Sequence, residues 1–213
     1  MKTKHTAYYE VEEALGKRTC AICVLVKESV FSYLSSLAYE SLNNPETREK
    51  LRATLGFCSY HGYQLAKIAS NLGLAVLYLD LLDALKHRVA HAVRRGHPGR
   101  AECPACAIRL GAEERYTTTL VEHLGDPQLR SRIEASRGLC LPHLAIVCSK
   151  ASQEDAGFLV DQELRHIDGL QAELREVIRK SDYRFNHEGW GDEKDAPGRA
   201  MFKVSGELGS VND

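Results

Sequence analysis

The chain contains two sets of three cysteines and one histidine at spacings that suit metal coordination. In both sets a Cys-x-x-Cys motif precedes a Cys-x-x-His motif, and the gaps between the motifs are 34 and 33 residues. Zinc prefers thiolate sulfur and imidazole nitrogen, and a Cys₃His set fills its tetrahedral shell without leaving a position for a substrate. The motifs therefore predict eight metal ligands: Cys20, Cys23, Cys58, His61, Cys103, Cys106, Cys140 and His143.

The ligand motifs belong to an internal tandem repeat. Tyr33 recurs as Tyr116 at an offset of 83 residues, and Gly56 recurs as Gly138 at an offset of 82. The second offset also relates Pro45 to Pro127, Arg48 to Arg130 and both members of Cys-x-x-His. Because packing positions, turn signals and ligands recur together, the repeated unit is structural as well as chemical.

The elements that must position these ligands are predicted to be helices. Apolar residues recur at intervals of three or four, and no hairpin turn separates alternating segments. Pro104 and Pro142 suit the first turn of a helix, with Cys103 as one N-cap, so two helix N-termini should direct partial positive charge at each set of thiolates. Two long helices should carry buried apolar stripes, one with Leu72, Val76, Leu79, Tyr78, Leu82, Leu85, Val89 and Val93, the other with Val160, Leu164, Ile167, Leu170, Leu174 and Val177.

These features predict an all-α, tandem-repeat helical bundle with pseudo-twofold symmetry, in which each repeat is built around its own Cys₃His site. Residues 1–97 form the first repeat, 98–183 the second, and 184–213 an irregular acidic and glycine-rich tail. Arg94–Arg100 contains glycine and proline and is predicted to be the linker. An exchange that pairs Cys20 and Cys23 with Cys140 and His143 fits the spacing equally well.

The charge balance and the apolar segments limit which partners and which cellular compartment the sequence predicts. Lysine and arginine total 28 against 29 aspartate and glutamate, so no excess positive charge is available for nucleic acid. The N-terminal residues turn acidic without an apolar signal-peptide core, and charges interrupt the leucine-rich stretch from Leu72 to Leu85. The sequence thus predicts a cytoplasmic protein without a membrane segment, where reducing conditions favour metal binding over disulfides.

At these motifs the chain resembles a bacterial and archaeal family of unknown function with duplicated Cys-x-x-Cys and Gly-[Phe/Leu]-Cys-x-x-His half-sites. The resemblance extends over nearly the full length and includes Glu113-Glu114-Arg115-Tyr116, Gly138-Leu139-Cys140-Leu141-Pro142-His143 and Lys180-Ser181-Asp182-Tyr183-Arg184-Phe185. It implies metal sites and a prokaryotic source, and it implies no reaction.

The leading interpretation is an interaction or adaptor protein with two structural zinc ions per chain, a protein partner and no catalysis. The absence of a recognisable nucleophile, base or phosphate-binding loop argues against an enzyme, although the enzyme question stays open. An iron–sulfur or single-iron electron carrier or redox sensor is the alternative, since cysteine also binds iron. A thiol oxidoreductase that uses Cys20–Cys23 or Cys103–Cys106 is a further alternative. The sequence specifies neither the oligomeric state nor a substrate.

Overall fold

The computed structural model describes residues 3–41, 44–95, 102–185 and 187–207 and contains no strand within them. The predicted linker residues 96–100 and the last residues, 208–213, lie outside these ranges. The helices are α1 (Thr6–Ala14), α2 (Ala21–Ser36) with a π-helical turn (Leu37–Ser41), α3 (Pro45–Thr54), α4 (Ser59–Ile68), α5 (Asn71–Arg95), α6 (Pro104–Glu122), α7 (Pro127–Ala135), α8 (Leu141–Lys150), α9 (Gln153–Lys180), a 3₁₀ turn (Asp192–Asp195) and α10 (Ala196–Ser205).

The helix order confirms the all-α tandem repeat. Helices α2 to α5 correspond to α6 to α9, and the starts of corresponding helices differ by 83 residues for the first pair and 82 for the others. The local signals recur as well, because Asn44 and Asp126 cap α3 and α7 through their side chains and a proline follows each cap. Similar sequences therefore form similar helices in both repeats.

The chain divides into two compact units whose borders lie inside helices. Unit 1 comprises Met1–Val26 and Glu113–Asp213, and unit 2 comprises Lys27–Ala112. The borders fall within α2 and α6, so the first turns of these helices belong to a different unit from the residues that follow. The compact units consequently do not coincide with the sequence repeats 1–97 and 98–183.

Each unit has its own apolar core. In unit 2, Leu34, Leu51, Leu65 and Leu77 are almost completely buried. In unit 1 the most deeply buried side chains include Tyr8, Ile22, Leu120, Leu124, Leu129 and Val147. Burial of a leucine stabilises the folded state by about 1.5–3 kcal/mol, and these cores support the helices that carry the ligands.

The prediction of a buried stripe on the first long helix is wrong for most of its residues. In α5 the buried leucines are Leu77 and Leu81, whereas Leu72, Leu79 and Leu82 are more than half exposed. On α9, Val160 and Leu164 are likewise exposed, and the buried positions are Leu159, Gln162 and Glu163. Helix α5 carries apolar residues on opposite faces, so periodicity could not identify the face that packs in the core.

The prediction of an irregular tail is also wrong, because residues 196–205 form α10. Pro197 stands in the first turn, a position that proline favours, and Ala196 is fully buried. Gly206 follows the helix with a φ of 76°, a conformation that suits glycine. Helix α10 packs against α8 and α9 in unit 1.

The segment Ala21–Tyr39 is long and apolar enough, by length and composition alone, to cross a membrane. Core helices of water-soluble proteins meet the same criterion. Cys23, Val26, Val30 and Leu34 on this segment are buried inside the protein. We therefore interpret it as a core helix, and the absence of a membrane segment stays a prediction.

Candidate metal centres

All eight predicted ligands come together in two groups of four. The first site contains Cys20, Cys23, Cys140 and His143, and the second site contains Cys58, His61, Cys103 and Cys106. Within each group the donor atoms lie within 4.8 Å of one another. The first site lies in unit 1 and the second in unit 2. Each group could hold a metal ion.

The expectation that each repeat closes its own site is wrong. In both sites a Cys-x-x-Cys motif from one repeat joins the Cys-x-x-His motif of the other. Helix α2 continues for 13 residues beyond Cys23, about 20 Å of helix, before the chain turns toward Cys58. The equal spacing of the motifs could not reveal this exchange.

The prediction that the half-sites begin helices is confirmed. Cys20, Cys58, Cys103 and Cys140 directly precede the first residues of α2, α4, α6 and α8, and the second ligand of each motif follows in the first turn. The Cys58 Sγ atom accepts a hydrogen bond from the His61 backbone N–H at 3.5 Å. Each site thus lies at two helix N-termini, whose partial positive charge favours thiolates.

The donor distances fit one tetrahedral ion in each site. With usual zinc bond lengths, sulfur atoms on one ion lie about 3.8 Å apart, and sulfur and nitrogen lie about 3.6 Å apart. In the first site Cys23 Sγ lies 3.7 Å from Cys140 Sγ, and the His143 Nδ1 atom lies 3.1–3.5 Å from the three sulfurs.

The second site has the same dimensions. Cys58 Sγ lies 3.8 Å from Cys106 Sγ, and the His61 Nδ1 atom lies 3.2–3.6 Å from the three sulfurs. In a cubane iron–sulfur cluster each cysteine binds a different iron, which separates the sulfurs further. The spacing in both groups therefore favours a single ion over such a cluster.

The two sites differ in burial. All four ligands of the first site are buried, whereas Cys58 and Cys106 in the second site are only partly buried. Cys148, the seventh cysteine, is partly buried and belongs to neither group. Solvent-borne chelators and oxidants consequently have better access to the second site.

Some of the metal-free ligands hold protons that an ion must displace, although hydrogen bonds with Cys140 and Cys20 lower the pKa of Cys23. Burial and the neighbouring thiols raise the pKa of Cys20, and burial raises the pKa of Cys106 to about 12. Burial opposes the imidazolium of His143, but hydrogen bonds with Cys140, Cys23 and Glu113 outweigh it and raise its pKa to about 11. Metal binding should therefore release protons and weaken as the pH falls.

Glu113 is a functional residue that the motifs did not identify. Its carboxylate lies 3.0 Å from His143 Nε2, on the side of the ring opposite the three sulfurs. A carboxylate in this position fixes the orientation of the histidine and raises its basicity as a ligand. The repeat offers no signal for it, because the residue 83 positions earlier is Val30.

A Glu113→Gln variant is expected to bind metal at the first site about 10–100-fold more weakly, because an amide cannot supply the same charge to the imidazole. Competition with a chelator, with the metal content of the protein as readout, measures the change. Glu114→Gln is the matched control, since that carboxylate is exposed and binds Lys150 at 2.7 Å. Equal metal retention in both variants would contradict this role of Glu113.

A buried polar cluster supports the loop that precedes Cys140. Glu163 accepts a hydrogen bond from the Leu139 backbone N–H at 3.0 Å and forms an ion pair with Lys203. Lys203 also donates to the backbone carbonyls of Arg137 and Leu139, at 2.8 and 3.0 Å. Burial opposes ionisation of Glu163, but hydrogen bonds from His166 and Lys203 hold its pKa below the usual value. The cluster links α9 and α10 to the first site.

Comparison with known proteins supports the repeat. One protein-family model, described as a family of unknown function, matches the chain twice, over residues 1–102 and 95–210. The two matches meet near the boundary of the sequence repeats, so both repeats carry the family pattern. Neither the curated proteins nor the solved structures include a match to this chain.

Proposed function

We infer that this chain, which belongs to the family of unknown function DUF6062, is a cytoplasmic interaction protein whose helices are stabilised by two structural zinc ions. The observation that supports metal binding is the tetrahedral spacing of both Cys₃His groups. All four positions around each ion are occupied by protein ligands, which leaves none for a substrate. The seven free cysteines are consistent with a reducing compartment.

Metal analysis tests the first part of this proposal. The protein is purified without oxygen or added metal, and zinc, iron and sulfide are measured per chain. We expect two zinc ions per chain and a colourless solution. Iron with inorganic sulfide would contradict structural zinc and favour electron transfer or redox sensing.

The interaction role is supported by the exposed face of α5. Leu72, Leu79, Leu82 and Val89 are 52–75% exposed, although the opposite face of the helix packs in the unit 2 core. A helix that is apolar on both faces is normally covered on both. The exposed residues form two rows with heptad spacing, one of Leu72, Leu79 and Lys86 and the other of Ala75, Leu82 and Val89. This spacing is typical of a coiled-coil seam.

A second copy of the chain, bound antiparallel along α5, is the partner that this seam fits best. Antiparallel pairing places Leu79 opposite Leu82 of the other copy and Leu72 opposite its Val89. Lys86, the charged residue in the rows, then faces the small Ala75 rather than a second Lys86. Parallel pairing would place the two Lys86 ammonium groups together, and like charges in contact are unfavourable.

A Leu79→Lys, Leu82→Lys variant is expected to be monomeric, because each dimer would bury four added charges at the centre of the seam. Sedimentation equilibrium of the metal-loaded protein measures the change and should give a dimer for the unmodified chain. Leu85→Lys is the control, since Leu85 lies on the same helix outside both rows and is 38% exposed. A monomeric unmodified chain at micromolar concentration would overturn the proposed dimer.

A further inference from the structure

Unit 1 contains a cavity of about 170 Å³ beside the first metal site. Fifteen residues line it, among them the ligands Cys20 and Cys140. Five of the lining residues are arginine or lysine and none is aspartate or glutamate. The five cations are Arg18, Arg137, Arg165, Arg199 and Lys203.

The carboxylates that contact these cations stand outside the lining. Glu173 pairs with Arg137 and Arg199, and Asp195 pairs with Arg18 and Arg199. Asp192 also pairs with Arg18, and Glu163 pairs with Lys203. A guanidinium has five N–H donors, so one or two carboxylate contacts orient it and leave donors for a further acceptor. The pairs therefore orient the arginines without occupying the cavity.

Arg165 differs from the other four cations. Its described hydrogen bond goes to the neutral Gln162 side chain, at 3.3 Å, and no described contact joins it to a carboxylate. The neighbouring His166 also lines the cavity, and its Nδ1 atom lies 3.9 Å from the Glu163 carboxylate. A ligand acceptor in the cavity would therefore use the N–H donors of Arg165 that Gln162 does not occupy.

The cationic lining does not follow from the repeated scaffold. The repeat offsets align Arg18, Arg137, Arg165 and His166 with Ala101, Leu55, Asp83 and Ala84 in the other half of the chain. Arg199 and Lys203 come from α10, which lies beyond the second repeat. The duplication therefore does not account for the charged lining, which is added to the metal scaffold that both halves share.

We propose that this cavity binds a small organic anion, with an oxyanion head on the arginines and a short apolar body against Leu170 and Phe202. A phosphate or a carboxylate head satisfies the same donors, because both accept paired hydrogen bonds from guanidinium groups. Leu139, Leu170 and Phe202 supply the apolar part of the lining. The volume suits a compound of about ten non-hydrogen atoms rather than a nucleotide.

Isothermal titration of the metal-loaded protein with phenyl phosphate and with benzoate, at constant ionic strength, tests this site. We expect saturable binding of at least one anion, and the tighter of the two identifies the head group. Arg165→Gln should weaken that binding about tenfold or more, since it removes a charge-assisted hydrogen bond. Arg175→Gln is the matched control, because Arg175 lies on the same helix and also contacts a glutamine side chain, at 3.3 Å.

Two results would overturn the proposal. One is the absence of binding by either anion at millimolar concentration, and the other is an equal loss of affinity in both arginine variants, which would indicate nonspecific charge attraction. Metal content is measured before and after each titration. Binding that requires release of an ion from the first site would place the anion on the metal ligands and would also contradict the cavity site.

Discussion

Removing the ligands Cys20, Cys23, Cys140 and His143 together is expected to leave one metal ion per chain. Removing Cys20, Cys23, Cys58 and His61 instead is expected to leave none. The first change eliminates the whole first site, whereas the second leaves each site with only two of its four ligands. Both variants replace cysteine by serine and histidine by alanine at four positions, so they are matched in number and chemistry.

Native mass spectrometry of both variants distinguishes pairing between repeats from pairing within them. If each repeat closed its own site, the two outcomes would be reversed, with no ion in the first variant and one in the second. Structural zinc contributes about 10 kcal/mol or more of apparent free energy, comparable to the net stability of a domain. The first variant should therefore also lose helical circular dichroism from unit 1 and retain that of unit 2.

The second large effect is expected from Gly138→Ala. Gly138 has a φ of 75°, which is unfavourable for a residue with a side chain. A Cβ atom there would lie 2.5 Å from His166 Nδ1 and 2.7 Å from Lys203 Nζ, and closer still to the Glu163 carboxylate. The clash involves the buried cluster that supports the Cys140 loop, so we expect a loss of about 3 kcal/mol.

Thermal unfolding of the metal-loaded protein should show this loss as a decrease of about 6–12 °C in Tm. Gly157→Ala is the control, because an added Cβ on this α9 glycine meets no atom within 4 Å. Alanine in a helix should raise stability by up to about 1 kcal/mol relative to glycine. A Gly138→Ala protein that melts at the unmodified temperature would show that the loop can rearrange without cost.

The metal ligands could be predicted from sequence because their chemistry is local. A cysteine before a helix and a second ligand three residues later converge through helix geometry alone. Gly56 and Gly138 recur at the repeat offset, and both adopt a positive φ. The helices could be predicted because their signals lie within a few residues of each other, and the repeat because whole motifs recur.

The features that sequence missed depend on contacts between distant segments. Glu113 reaches His143 across 30 residues, and Glu163 supports Leu139 across 24. At the repeat offsets their counterparts are Val30 and Leu81, so duplication gave no indication of either carboxylate. The sequence also could not show which half-sites share a metal ion, because the same four motifs at the same spacing fit pairing within repeats and pairing between repeats.

The exchange of half-sites has a consequence for how the two repeats depend on each other. One repeat alone carries both kinds of half-site, and two separate copies could form two complete sites only by associating. Covalent linkage makes that association intramolecular, with an effective concentration that can reach the millimolar range for a short connection. Both sites then form at any protein concentration, including one far too low for separate repeats to meet.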